Sequence, residues 1–218
     1  MSPTWYAWIE QGRDISVSAD AFARLADAMQ FTPAERAYLF QLTRRRDPSE
    51  PPGDSEKESE GVGILADAVN AMTAPAYLLD RRWCARAWNK AAAQLFAGWL
   101  GGAERCLIDY VFLDRAARAF IVDWENRARR LVAEFRADTG RNPDDPALRA
   151  LVDRLQRGSP DFVKFWSDHA VLAREGGARM FNHPRDGLRY YEQVTLSPAG
   201  RPDHKLVMLL PSQDAAPD

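Results

Sequence analysis

Residues 44–63 read RRRDPSEPPGDSEKESEGVG, and this stretch constrains the chain more than any other. Almost nothing in it can be buried. A segment rich in Pro, Gly, Ser and charge stays solvated and behaves as a linker. The reading therefore divides the chain into a domain at 1–43, a linker at 44–63, a larger domain at 64–211 and a flexible tail at 212–218. The 218 residues are enough for one large domain or two small ones, and 46% hydrophobic residues can supply a core without cross-links or metal.

Three short helices are expected in 1–43. Ser2 is a good N-cap, and Pro3 suits the first helical position, where the missing N–H has no intrahelical partner. Tyr6 and Ile9 share a face, and Gly12 stops the helix. A second helix starts near Ser18 and carries Phe22, Leu25, Ala26 and Met29 at helical spacing. Thr32-Pro33-Ala34-Glu35 is a capping box that opens a third, with Leu39, Phe40 and Leu42 on its apolar face.

The larger segment mixes helix and strand. A helix is predicted from about Ile64 to Met72, ended by Pro75. Ala76 to Asp80 and Trp83 to Trp88 read as a β-hairpin. Asn89 caps a helix running from Lys90 to Ala97. From Asp114 to Asp138, residues Ala117, Phe120, Ile121, Trp124, Ala128, Leu131, Val132 and Phe135 form one apolar stripe, predicting a single long helix. Arg115, Arg118, Arg129 and Arg136 lie off that stripe. Asp144-Asp145-Pro146 and Ser159-Pro160 start two more helices. The last fifty or so residues switch to strand pattern, at 178–181, 188–196 and 205–210. The expected fold is α+β: a five-stranded antiparallel sheet resembling the PAS class of sensor domains, with helices on one face, preceded by a partial all-α domain.

Several function classes are excluded by what the residues lack. A net charge of -2 gives no global basic field, so any nucleic-acid contact is local. Gly61-Val62-Gly63 lies in the linker and makes no phosphate loop, and there is no GxSxG elbow. His169, His183 and His204 have no His or Cys partner at metal-ligand spacing. Asp144-Asp145 is explained by the helix dipole. No catalytic residue, metal or cofactor is therefore assigned, and an enzyme with His169 or His183 as general base is a minority reading. Cys84 and Cys106, without a CxxC motif, fit free thiols in a reducing cytosol. No apolar run approaches the ~18 residues of a membrane span, and no signal peptide is seen, so the expected location is cytoplasmic, away from membranes.

Ser2 to Arg13 (SPTWYAWIEQGR) resembles the recognition helix of bacterial helix-turn-helix regulators of the xenobiotic-response-element, Cro-like class. More narrowly, the chain resembles the MmyB-like subgroup. The motifs that carry this are Ala87-Trp88-Asn89-Lys90-Ala91-Ala92, Val122-Asp123-Trp124-Glu125, Asp144-Asp145-Pro146, Ser159-Pro160-Asp161-Phe162, Trp166-Ser167-Asp168-His169 and Phe181-Asn182-His183-Pro184, in that order. The resemblance departs at Ala170, where the family often carries an acidic residue. It also implies two further helices ahead of Met1, and without them the recognition helix lacks the partner that crosses the DNA backbone.

What the resemblance implies is a ligand-responsive transcription regulator that binds double-stranded DNA and holds a small apolar ligand such as a fatty acid; a homodimer is expected because operators are commonly two-fold symmetric. On that reading Tyr6 and Ile9 face the core of the DNA-binding domain, leaving Ser2, Thr4, Trp5, Gln11 and Arg13 as DNA-contact candidates. The larger domain is rich in aromatics: Tyr77, Trp83, Trp88, Phe112, Trp124, Phe135, Phe162, Phe165 and Trp166. They either only pack a core, or some of them, with Trp88, Phe112, Trp124, Phe135, Phe165 and Trp166 as candidates, line an apolar pocket. A ligand carboxylate would want a donor. Arg86, Asn89 and His169 are the candidates, although Asn89 also reads as a plain helix cap and His169 as a structural histidine. A ligand-free α+β protein-interaction module remains the alternative.

Overall fold

The computed structural model describes residues 11, 17–43, 45, 47–49, 55–103, 105–139, 145–168, 177–199, 201 and 203–212. The chain forms two compact units, Met1–Ser55 and Glu56–Asp218.

In the first unit, α1 (Ala19–Ala28) begins where Ser18 accepts a hydrogen bond from the Ala21 N–H. The second helix, α2 (Pro33–Thr43), opens on the expected capping box: Glu35 Oε2 accepts from the Thr32 N–H at 2.8 Å and Thr32 Oγ1 accepts from the Glu35 N–H at 3.3 Å. The core of the unit includes Val17, Ala23, Leu25, Ala26 and Phe40, whereas Leu42, expected on the apolar face, is exposed. Arg36 ties the unit together. Its guanidinium donates to Asp47 through Nε and Nη2 and pairs with Asp27 at 2.5 Å. Asp47 also accepts from the Ser49 N–H and hydroxyl. Burial pushes the Asp47 carboxyl up, but the Arg36 and Ser49 hydrogen bonds outweigh it and hold the group below its ordinary value.

The second unit opens with α3 (Ser55–Ala71). The sequence predicts this helix from about Ile64, and the structure has 55–63 helical as well. A polar stretch shows no apolar periodicity, yet the helix needs only its later turns to be anchored: Val62, Leu65, Val69 and Met72 pack on one face of the sheet, against Ala76, Leu78 and Leu206. That face is therefore covered too, correcting the expectation that helices lie on one side only.

The strands are β1 (Ala76–Leu79), β2 (Ala85–Trp88), β3 (Gly177–His183), β4 (Gly187–Leu196) and β5 (Lys205–Pro211). They form the expected five-stranded antiparallel sheet, in the order β2-β1-β5-β4-β3. Side chains alternate across it, so Tyr77, Leu79, Phe181, Val207 and Leu209 face the other way, into the main core.

Among the described residues, seven helices lie on the side of that second face: α4 (Lys90–Leu95), α5 (Ala97–Leu100), α6 (Leu107–Leu113), α7 (Arg115–Phe120), α8 (Trp124–Thr139), α9 (Pro146–Gly158) and α10 (Pro160–Ser167). The predicted single helix over 114–138 is in fact α7 and α8, broken at 121–123. Ile121 makes an isolated antiparallel bridge to Phe181, Val122 N–H donates to Met180 O at 3.2 Å, and Asp123 adopts φ 52°. Asp is among the few residues that take a left-handed conformation readily. The stripe survives the break because Ala117, Phe120, Trp124, Ala128, Val132 and Phe135 are all buried. Asp145 and Ser159 cap α9 and α10 as expected.

Asn89 fixes the junction of β2 and α4. Its Oδ1 accepts from the Ala92 and Ala76 N–H groups, and its Nδ2 donates to Met72 O at 2.9 Å and Ala74 O at 2.7 Å. One buried amide thus joins the end of α3, the start of β1 and the cap of α4.

Two outcomes are expected. Asn89→Ala loses about 2 kcal/mol in urea unfolding, and Asn89→Ser, which keeps an acceptor for the Ala92 N–H, loses less. In the first unit, the Asp47 contribution is present above the unfolded carboxyl value of about 3.9. It is lost as pH falls through the lower folded value. Asp47→Asn should flatten this acid limb of a pH series of thermal melts.

Candidate functional site

The main core is built from rings in contact, most of them edge to face, with Phe120–Phe181 and Phe162–Trp166 stacked. One group links Tyr77, Phe96, Trp99, Phe120 and Phe181, with centroids 5.0–5.8 Å apart. A second runs as a belt from Trp83 through Phe135, Trp166, Phe162 and Phe112 to Trp124 and Phe165. Such pairs add about 1 kcal/mol each beyond the area they bury. Within these groups the indole N–H groups of Trp83, Trp99 and Trp124 are satisfied: Trp83 by Asp138 at 3.1 Å, Trp99 by Arg105 O at 3.1 Å and Trp124 by Val111 O at 3.0 Å.

Trp83 sits in the β1–β2 turn with φ 60°, a left-handed conformation that costs a bulky residue free energy. The turn is held by Asp80, whose Oδ1 accepts from the Arg82 and Cys84 N–H groups. The Trp83 ring is buried against Phe135 of α8, with Lys205 Nζ 4.4 Å from its centroid. Lys205 pairs in turn with Asp138, the acceptor of the Trp83 N–H. Turn, α8 and β5 meet at this point.

The structure separates the candidates read from the sequence. Phe112, Trp124, Phe135 and Phe165 are all buried in the second ring group, and Trp166 is half-buried at its edge. Trp88 is half-buried beside the core, under the Arg105 guanidinium at 4.8 Å. Asn89 is corrected as a ligand donor, because both its donor and its acceptor capacity are taken by backbone groups. Arg86 is exposed and lies away from the belt, in a cleft of about 80 Å³ with Val62, Arg81, Arg82 and His204. His169, Ser2, Thr4, Trp5 and Arg13 fall outside the described residues, and Gln11 is exposed.

His183 is buried with its Nδ1 accepting from the Asp186 N–H at 3.1 Å and its Nε2 3.3 Å from Gln94 O. Both ring nitrogens are engaged, Nε2 beside the Gln94 carbonyl and Nδ1 by the Asp186 N–H and, at 3.0 Å, the Asp186 carboxylate. The cysteines are corrected as well. Cys84 and Cys106 face each other in an isolated antiparallel bridge and are joined as a disulfide. Sequence spacing gave no sign of it, since the two are brought together by the fold.

A second cleft, of about 190 Å³, was missed at the sequence level. It lies where α6 and α7 meet the α9–α10 corner. Its floor includes Phe112, a ring of the belt, and its charged lining is Asp114, Arg115 and Arg118. Gly158 permits the close approach, because a Cβ there would fall 2.6 Å from Leu113 Cδ2. Arg118 lies 3.8 Å from the Trp124 ring centroid and pairs with Asp161, and both Arg115 and Arg118 are exposed. Their off-stripe positions marked them only as solvent-facing; nothing local in the sequence places the α9–α10 corner beside them. Two arginines, a carboxylate and an aromatic ring thus line one cleft.

Burial also pulls Arg179, on the inner face of β3, below its ordinary value. Its Nε donates to Gln193 Oε1 at 2.9 Å. Burial pushes the neighbouring Tyr77 phenol up.

No helix among the described residues is long and apolar enough to cross a membrane. No curated protein matches the chain. Residues 1–39 match a helix-turn-helix domain, and residues 64–217 match the MmyB-like transcription regulator ligand binding domain. With most of its length in that second match, and a DNA-binding motif ahead of it, the chain belongs to the family of MmyB-like transcription regulators: it is a ligand-responsive, DNA-binding regulator.

Proposed function

We propose that the second unit holds a long-chain carboxylate such as a fatty acid, with its head at Arg115 and Arg118 and its tail among the rings of the belt. The observation that carries this reading is the second cleft, which joins two arginines to Phe112 and so to Trp124, Phe162 and Phe165. At about 190 Å³ it is smaller than the 300 Å³ or more typical of ligand pockets. The tail therefore enters by parting rings that touch in the unliganded arrangement. Each methylene buried returns about 0.8 kcal/mol against that cost. A ligand that prefers the parted arrangement of α6, α8 and α10 shifts the population toward it. In this reading, that shift changes operator affinity in a homodimer.

On the DNA side, Gln11 and Arg13, with Ser2, Thr4 and Trp5, are the proposed contacts, Gln11 to a base edge and Arg13 to phosphate. The protein-interaction module without ligand is the competing reading.

Native mass spectrometry of freshly purified protein should show a lipid-sized adduct, and saturating long-chain carboxylate should raise the melting temperature. Arg115→Ala should weaken the carboxylate about tenfold or more, as expected for a lost charged hydrogen bond, and leave the alcohol of the same chain length unaffected. No adduct, together with no thermal shift across a panel of chain lengths, supports the interaction module instead. For DNA, Arg13→Ala should reduce the slope of log K against log salt by about 0.9 and weaken all sequences alike. Gln11→Ala should relax the preference at one base pair by about 1–3 kcal/mol.

A further inference from the structure

The chain has two cysteines, and the fold sets them opposite each other. The backbone brackets them on both sides: Ala85 N–H donates to Arg105 O at 2.9 Å, and Leu107 N–H donates to Trp83 O at 2.8 Å. Cys84 and Cys106 thus occupy the non-hydrogen-bonded position of a short antiparallel pair, where facing side chains come closest. Cys84 is half-exposed, and Cys106 is buried at 9% exposure. Arg82, Arg86 and Arg105 lie within two residues of one or other cysteine, and positive neighbours favour the reactive thiolate. The second unit has an extensive apolar core of its own, so it does not need the cross-link to fold. In a DNA-binding regulator, whose surroundings keep thiols reduced, such a pair is a redox element rather than a permanent staple.

We propose that Cys84 and Cys106 form a reversible thiol–disulfide switch that responds to peroxide. The Cys84 thiolate attacks the peroxide oxygen, giving a sulfenic acid and releasing hydroxide, which takes up a proton as water. The Cys106 thiolate then attacks the Cys84 sulfur, the S–S bond forms and the sulfenic oxygen leaves as a second water. In total, two thiols and one hydrogen peroxide give one disulfide and two waters. A small thiol reverses this through a mixed disulfide, leaving both cysteines reduced and itself oxidised to its own disulfide.

The bond joins the β1–β2 turn to the first turn of α6. Cys84 follows Trp83, whose ring reaches Phe135 of α8, and α6 carries Phe112 at the floor of the second cleft. Oxidation therefore stiffens the same elements that line the belt.

The test uses the full chain, reduced with dithiothreitol, exchanged into thiol-free buffer and treated with hydrogen peroxide. After denaturation and maleimide labelling, the expected product is a monomer about 2 Da lighter with no label, and dithiothreitol should restore two labels per chain. Oxidation should raise the melting temperature by about 5 °C or more and slow amide exchange at Ala85 and Leu107. The reduced protein should keep its circular dichroism spectrum, and Cys84→Ser and Cys106→Ser should each abolish the thermal response to peroxide without loss of fold. Two labels after peroxide, sulfinic acid as the main product, disulfide-linked dimers, or a reduced protein that unfolds would each overturn the proposal.

Discussion

The inner face of the sheet has to be covered, and this chain covers it with interlocking rings. Large flat side chains repack in few ways, and removing or displacing one leaves a hole of its own size. The indole N–H groups of Trp83, Trp99 and Trp124 limit the choices further, because each is spent on one fixed acceptor. The layer is close to full as it stands. In the proposed reading an apolar guest would exchange ring–ring contact for ring–chain contact, beginning at the second cleft, which Phe112 of the layer lines.

Trp83 connects this layer to the sheet edge. Its left-handed backbone is a local cost that the surroundings offset, through the Asp80 hydrogen bonds in the turn, burial against Phe135, and the contacts with Asp138 and Lys205. A strained residue held by packing, an ion pair and a neighbouring cysteine bridge is a natural place for a change at one element to reach another. Strands β1 and β5 and helices α6 and α8 are all reached from it within one or two contacts.

Much of this architecture is legible in the sequence, for reasons that are local. Ser18, the Thr32–Glu35 pair, Asn89, Asp145 and Ser159 are caps whose side chains bond within three residues, so the signal and the interaction occupy the same few positions. The strands announce themselves by composition and by the turns between them. What sequence does not carry is long-range. The break between α7 and α8 is caused by pairing with β3, some sixty residues on in the chain by number, and no Gly or Pro marks it. The Cys84–Cys106 bridge and the placing of Arg115 and Arg118 beside the α9–α10 corner are likewise products of folding. The ring candidates in the larger domain were legible as rings; which of them only pack and which would meet a guest depends on where the layer reaches the surface. Asn89 was visible as a cap, and its further bonds to Met72 and Ala74 show why it has nothing left to offer a ligand.

The proposed function places an oily chain in the ring layer beneath α6, α8 and α10. Amide hydrogen exchange across the second unit, with and without a saturating long-chain carboxylate, tests it most directly. Protection should change in α6, α8 and α10, including the segment around Phe112, while α3 and its side of the sheet keep their rates. Binding of the acid accompanied by changes confined to α3 and the smaller cleft around Arg86, with the ring-bearing helices unaltered, would contradict it.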